Sequence, residues 1–217
     1  MSNNSPKALI SESNQAVVSA IAGELPVLGS VVEITKNIWK RCQINRLEKF
    51  LSTTEIDEIF LKNLATKENE QELFLEYIQC VVNTPNPLAC ITLALIYKDP
   101  NIGESLKSLC ANTFKGISQG TLNIFCATIE HLDSDENNDR EQFIRLRNNQ
   151  QGSVYISPRS IGLVKDQIEI LAFTNDLVSR NFCTKGSVIS DDGSTIAINS
   201  FSLLLYDFIE KAKLIQK

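Results

Sequence analysis

The sequence has one histidine, one tryptophan and one methionine in 217 residues, and this scarcity limits the chemistry it can support. A serine or cysteine hydrolase with a histidine base would have to use His131, the single histidine. Cys126 lies five residues earlier, too far round a helix for the two side chains to meet directly. We expect His131 to lie near the C-terminal end of a helix, where a partly positive imidazole is mildly favourable.

The sequence also lacks the common motifs that bind phosphate or metal ions. It contains no glycine-rich phosphate loop, no Gly-x-Ser-x-Gly turn and no histidine-rich metal spacing. Asp133, Asp135, Asn137 and Asp139 alternate as calcium ligands do. However, the sixth and twelfth positions of that loop are Asn138 and Ile144, where an EF-hand requires Gly and Glu. We therefore predict no catalytic residue, no cofactor and no metal, and we expect that the protein is not an enzyme.

None of the six cysteines forms a Cys-x-x-Cys pair, and five lie at apolar or boundary positions of expected helices. The first ten residues are polar and do not resemble a secretory leader. Free, mostly buried thiols are typical of a reducing compartment. We therefore expect a cytoplasmic protein.

One apolar stretch, Ala16–Val32, requires a test for membrane insertion. It carries Glu24 near its centre, and Gly23, Pro26 and Gly29 interrupt it. A spanning helix needs about 20 apolar residues, and a central charge costs several kcal/mol. The sequence predicts a short buried helix here and no transmembrane segment.

Basic residues are too few for a dedicated nucleic-acid-binding protein. The net charge is -5 and the isoelectric point is about 5.1. Contact with phosphate dominates nucleic-acid affinity and usually requires a clear basic excess. The hydrophobic fraction of 43% is sufficient for a folded core. The charge argues against nucleic-acid binding overall, although a local basic patch remains compatible with it.

Apolar residues spaced by three and four predict a series of helices as far as residue 132. A long helix is expected from Pro26 to about Leu51. Ser52–Glu55 has the Ser-x-x-Glu form of a capping box and predicts the start of the next helix. Leu88–Tyr97 is so apolar that we expect a central, mostly buried helix.

The composition changes at Asp133, where seven consecutive residues include no apolar side chain. We predict an acidic surface loop there, followed by a strand at Val154–Ile156 and a helix that begins at Ser157. Val188–Ile198 has two apolar arms around Asp-Gly, which predicts a β-hairpin. A last helix is expected after Asn199.

Together these patterns predict a mainly α fold: a multi-helix bundle followed by a small α+β, winged-helix-like module with one β-hairpin. The expected divisions are a flexible tail at 1–15, a helical domain at 16–132, an acidic linker loop at 133–141 and the α+β module at 142–217.

The order helix, hairpin, helix at residues 157–213 resembles part of a winged-helix domain, in which a recognition helix precedes a β-hairpin wing. Leu25–Gly29, followed by a long helix, a helical body and such an end, is similar to the pattern of uncharacterised bacterial and prophage proteins. This resemblance implies a setting of conflict between bacteria and phages. It implies no established activity and assigns no functional residues.

Seven basic residues are candidates for contact with an anion or nucleic acid. Three accompany Trp39 on the long helix and four lie in the C-terminal module. Residues 132–217, which include the acidic segment, hold ten Lys and Arg against twelve Asp and Glu. A solvated helix face with ion pairs is the favoured alternative for the first group. The seven are Lys36, Lys40, Arg41, Arg159, Lys165, Arg180 and Lys185.

We expect a binding or regulatory protein that acts through contact with a protein partner, or through self-association as an oligomer. One alternative is a DNA-binding transcriptional regulator that uses the winged-helix-like module. Another is an effector that acts on membranes through residues 16–40, by contact with the membrane surface. A hydrolase that uses His131 is the least favoured.

Overall fold

The computed structural model describes residues 26–56, 60, 62, 64, 68–134, 138–148, 152–157, 167–186 and 195–216. Within the helices, it describes the backbone alone at 26–34, 69, 138–139 and 167–170.

The described part of the chain contains eight helices and three short strands, so the mainly α prediction is confirmed. In chain order they are α1 (Pro26–Thr54), α2 (Glu68–Asn83), α3 (Pro87–Lys98), α4 (Glu104–Phe114), α5 (Gln119–Ser134), α6 (Asn138–Arg147), β1 (Val154–Ile156), α7 (Gln167–Ser179), β2 (Thr184–Lys185), β3 (Ile196–Ile198) and α8 (Ser200–Gln216).

Contacts divide the chain into two units, residues 1–45 and 46–217. The larger unit has one apolar core, which takes side chains from both sides of the acidic segment 133–141. α3 is its central helix, since Leu88–Ala94 and Ile96 are buried. α3 packs most extensively against α8 and also contacts α2 and α4. The buried central helix predicted from Leu88–Tyr97 is therefore confirmed.

Polar residues between the helices fix where several of them begin. The Asn86 Oδ1 atom accepts hydrogen bonds from the backbone N–H groups of Leu88 (2.9 Å) and Ala89 (3.3 Å), and Pro87 occupies the first helical position. The Ser118 hydroxyl accepts from the Thr121 N–H (3.0 Å) at the start of α5. These caps satisfy N–H groups that have no partner within the helix.

α4 is followed by Gly116, which has a φ of +70° as expected for a glycine after a helix end. Its N–H donates to the Thr84 hydroxyl (3.0 Å), which also lies 2.8 Å from the Cys80 carbonyl oxygen and 3.2 Å from that of Phe114. Thr84 is fully buried. One hydroxyl therefore connects the end of α2 to the turn after α4.

The three strands form an antiparallel sheet in the order β1–β3–β2. β3 pairs with β1, with Val154 opposite Ile198, and with β2, with Lys185 opposite Ile196. The strand at Val154–Ile156 is confirmed. The second arm of the predicted hairpin is confirmed as β3. It pairs with β2 at Thr184–Lys185, which lies before the predicted first arm. Residues 187–194, with the Asp-Gly turn, lie outside the described residues.

Gly186 extends the pairing of β2 and β3, since its N–H donates to the Thr195 carbonyl (2.7 Å). A Cβ at Gly186 would lie 2.7 Å from the Thr195 methyl and 2.8 Å from its carbonyl oxygen. Only glycine allows this close approach.

The predicted helix start at Ser52 is wrong. Ser52 and Thr53 belong to the last turn of α1, and both hydroxyls bond to the Lys49 carbonyl (3.0 and 2.7 Å). Glu55 then ends the helix with a φ of +55°. Hydroxyl side chains can bond back to carbonyls three or four residues earlier, so the Ser-x-x-Glu pattern also suits a helix end.

The acidic segment predicted as a loop is partly helical. α5 continues through Asp133 and Ser134, and α6 begins at Asn138. Residues 135–137 lie outside the described residues. α6 also includes residues 142–147, whose secondary structure is ambiguous from the sequence. Phe143 and Leu146 are both buried and lie three residues apart, which is the spacing of one helix face.

Candidate functional site

Residues 35–45 of α1, called here the exposed segment, combine apolar and basic side chains. Nine of its eleven side chains are exposed; Lys36 is half-buried and Gln43 is buried. Ile38 is 59% exposed, Trp39 43% and Ile44 40%. Exposed single apolar residues are ordinary, but three large ones within seven residues of one helix form a surface that a partner can cover.

The helix geometry places these side chains around most of the helix. At about 100° per residue, Trp39 lies roughly 100° to one side of Ile38, and Ile44 lies about 120° to the other side. Gln43 falls on the remaining, buried side. The apolar side chains therefore cover a wide arc centred on Ile38 and leave no single apolar stripe.

The predicted basic residues of α1 lie among these side chains. Arg41 falls between Ile38 and Ile44 around the helix, and Lys40 falls beyond Ile44. Both are exposed. The exposed segment has no Asp or Glu, and among the described contacts these two side chains have no acidic partner. Their positive charges are therefore available to an anionic group.

Two other predicted basic residues lie apart from α1 in the chain, in the C-terminal part. The Arg180 Nε atom donates to Asp176 (2.7 Å), and its guanidinium also donates to the Lys115 carbonyl. Asp176 accepts a second hydrogen bond from the Thr121 hydroxyl (2.7 Å). Arg180 therefore ties the end of α7 to the turn after α4, and Asp176 ties α7 to the start of α5. Lys185 is exposed on β2. The remaining two predicted residues, Arg159 and Lys165, lie outside the described residues.

His131 lies in the last turn of α5, as predicted, and is partly exposed. Cys126 lies one and a half turns earlier in the same helix and is buried. Burial raises the pKa of the Cys126 thiol to about 12, so this sulfur is held as the protonated thiol near neutral pH.

A cleft of about 400 Å³ lies between the end of α1, α2, the end of α3 and the start of α4. Its floor includes the ring of Tyr97, which contacts Phe50, Phe60, Phe74 and Tyr77 with centroid separations of 5.1 to 6.5 Å. Burial raises the pKa of Tyr97 to about 12. This cluster could not be predicted from the sequence, because its rings come from separate segments and no local spacing brings them together.

Charged groups at the cleft are used by the fold. Lys98 pairs with Glu55. The Lys107 ammonium donates to the Tyr97 carbonyl (2.6 Å), where the last turn of α3 leaves carbonyls without helical partners. Burial lowers the pKa of Lys107, while the nearby Asp99 and Glu104 act to raise it. Lys98 and Lys107 therefore stabilise the end of α3 through these contacts. For this reason the cleft is a weaker candidate for a binding site than the exposed segment.

A second polar network joins α8 to α5. The Lys213 ammonium lies 2.6 Å from a Glu210 carboxylate oxygen and 3.3 Å from one of Glu130. Burial alone would lower the pKa of Lys213, but these hydrogen bonds and the neighbouring negative charges raise it overall. Lys213 stays protonated and ties the two helices together.

Within the described ranges, no group of three or more His, Cys, Asp and Glu side chains is arranged to hold a metal ion. Among the described helices, none is long and apolar enough to cross a lipid bilayer. No family model, no curated protein and no solved structure matches the chain. The resemblance to bacterial and prophage proteins therefore stays a prediction.

Proposed function

We propose that the protein is a non-enzymatic binding protein that acts through contact with a protein partner, and that the exposed segment of α1 is its contact surface. The observation that carries this proposal is the exposure of Ile38, Trp39 and Ile44 on one short piece of helix. Large apolar and aromatic side chains contribute most to protein interfaces when they are desolvated. A conflict between bacteria and phages remains the proposed setting, on the resemblance alone.

The charges elsewhere support the same choice. Arg147 pairs with Asp207 (2.7 Å), and Lys213 and Arg180 also have carboxylate partners. These side chains contribute to packing between helices. In the exposed segment, Lys40 and Arg41 are open to solvent beside Ile38, Trp39 and Ile44.

Capture of partners from an extract of the native host tests this proposal. The wild-type chain is compared with Ile38→Ser and with Leu75→Ser, a matched control at another exposed apolar residue, 45% exposed on α2. We expect the wild type and the control to retain the same specific proteins, and Ile38→Ser to lose them. Equal capture by all three chains, or no specific capture by the wild type, would contradict the proposal.

A DNA-binding regulator is the second candidate function. The strand order β1–β3–β2, with α7 directly before β2 and β3, supports a winged-helix-like arrangement. Against DNA contact, the exposed side chains in the described stretch 171–179 of α7 are Ala172, Asn175 and Ser179, none of which is basic. This candidate predicts salt-dependent binding to duplex DNA that Lys185→Glu weakens. Absence of binding at low salt would remove it.

A further inference from the structure

We propose that the partner of the exposed segment is an acidic peptide segment of another protein, in which a carboxylate lies between apolar side chains. This inference rests on the proposed function and adds the chemistry of the partner. It follows from the order of side chains around α1.

Charge complementarity favours an acidic partner. The exposed segment has three basic residues and no acidic one, whereas residues 46–217 contain 17 Lys and Arg against 23 Asp and Glu, a net charge of -6. A negatively charged partner is repelled by the net charge of that larger part of the chain. The exposed segment instead carries a local net charge of +3, which favours an acidic partner there.

The position of Arg41 distinguishes a peptide from a lipid surface. Around the helix, Arg41 lies roughly 60° from both Ile38 and Ile44 and between them, within the apolar arc. A helix that lies flat on a membrane places its charges at the edges of the apolar face, so that they reach the headgroups. Burying both isoleucines in lipid would bury Arg41 as well. A peptide carboxylate placed between two apolar side chains can pair with Arg41 while those side chains cover the isoleucines.

The width of the apolar arc leads to the same partner. Trp39 and Ile44 lie too far apart around the helix for one flat surface to cover both. A peptide that wraps part of the helix covers Trp39 and Ile44 together. If its apolar and acidic residues alternate, the apolar ones contact Ile38 and Ile44 and the acidic one between them pairs with Arg41. Duplex DNA supplies the negative charge but lacks the apolar groups that would cover Ile38 and Ile44.

Trp39 reports directly on this surface, because it is the single tryptophan of the chain. The full chain is titrated with a synthetic 20-residue Glu/Leu/Phe peptide, and with the same peptide carrying Gln for every Glu. Anionic phosphatidylserine vesicles and a duplex DNA form the other two arms. We expect the Glu peptide to shift the Trp39 emission to shorter wavelength, and the Gln peptide to bind at least tenfold more weakly.

Two variants complete the design. Arg41→Gln should weaken binding of the Glu peptide about tenfold, whereas Lys49→Gln, at an exposed lysine later in α1, should leave it unchanged. Both residues are exposed, so both variants keep the fold.

Equal binding of the Glu and Gln peptides, or no effect of Arg41→Gln, overturns the acidic partner. If the acidic partner is overturned but Ile38→Ser still abolishes capture from the host extract, the proposed function is retained without this inference. A Trp39 shift with vesicles or DNA that exceeds the shift with the Glu peptide also overturns this inference.

Discussion

At the scale of single residues, the thiols separate into two groups. Cys42 is exposed, whereas Cys80, Cys90, Cys110, Cys126 and Cys183 are buried. Burial raises the pKa of each buried thiol from its ordinary value, to about 11 for Cys90 and about 12 for the other four. Five folded-state groups therefore hold their protons at a pH where the unfolded chain releases them.

This difference predicts a loss of stability in alkali. The folded-state pKa values are raised, so the stabilisation is fully present below pH 9 and is lost as the pH rises from 9 towards 12. Each thiol contributes a loss on the order of 1 kcal/mol per pH unit in that range. We expect the free energy of unfolding, measured with urea, to fall by several kcal/mol between pH 8 and pH 10.

Two cysteine variants test the origin of this pH dependence. Cys183→Ala should reduce the pH-dependent loss, because the buried thiol is gone, whereas Cys42→Ala should leave the loss unchanged. An equal pH dependence in the wild type and Cys183→Ala would refute the assignment to buried thiols.

The Thr84 hydroxyl gives a second prediction at this scale. Thr84→Val keeps the shape of the side chain but leaves the Gly116 N–H without its acceptor. We expect a loss of about 1–3 kcal/mol in the free energy of unfolding. Thr53→Val is the matched control, since its hydroxyl bonds only within α1, and it should change stability by less than about 0.5 kcal/mol. Equal effects would mean that the hydroxyl does not connect α2 to the turn after α4.

The sequence predicted some of these residue roles and not others. Gly116 was predictable, because a glycine after an amphipathic run is typical of a helix end. Thr84 was not, because its partners lie about 30 residues away and a buried threonine has no distinctive local pattern. The basic residues of the exposed segment were identified, but their exposure beside Ile38 and Ile44 depends on which side of α1 is buried.

At the scale of elements, Asn86 and Pro87 mark the start of α3. Asn86 accepts two N–H hydrogen bonds at the start of α3 and is 2% exposed. Asn86→Ala should therefore lower the free energy of unfolding by about 1–2 kcal/mol. Asn86→Ser should lower it less, because serine keeps an acceptor oxygen and removes the Nδ2 group, which has no hydrogen-bond partner within the described part of the chain. Thermal denaturation in which the alanine variant matches the wild type would contradict this role.

The errors at this scale have physical causes. The Ser-x-x-Glu pattern that begins at Ser52 fits both a helix start and a helix end. Because the Ser52 and Thr53 hydroxyls bond back to the Lys49 carbonyl of α1, the pattern here lies at a helix end. The partner of β3 was placed too late because Thr184–Lys185 is a two-residue strand of exposed polar side chains, which has no apolar alternation. α6 begins in an acidic segment whose composition alone favours a loop.

At the scale of the whole molecule, residues 46–217 share one apolar core. Phe114 and Phe125, before the acidic segment, pack against Phe182, after it, with centroid separations of 5.1 and 4.8 Å. Apolar periodicity predicted which residues enter this core, but pairings across 57 and 68 positions cannot be read from local spacing. The predicted domain boundaries stay predictions.

The central claim is that the exposed segment of α1 contacts the protein partner, and Cys42 allows the most direct measurement. Cys42 is the exposed thiol and lies between Ile38 and Trp39 around the helix. A benzophenone maleimide on Cys42 is irradiated in host extract and compared with the same label on Gln79→Cys, an exposed site on α2, in a Cys42→Ser background. We expect a specific cross-linked partner from Cys42 and none from position 79. Equal cross-linking from both sites, or none from Cys42, would contradict it.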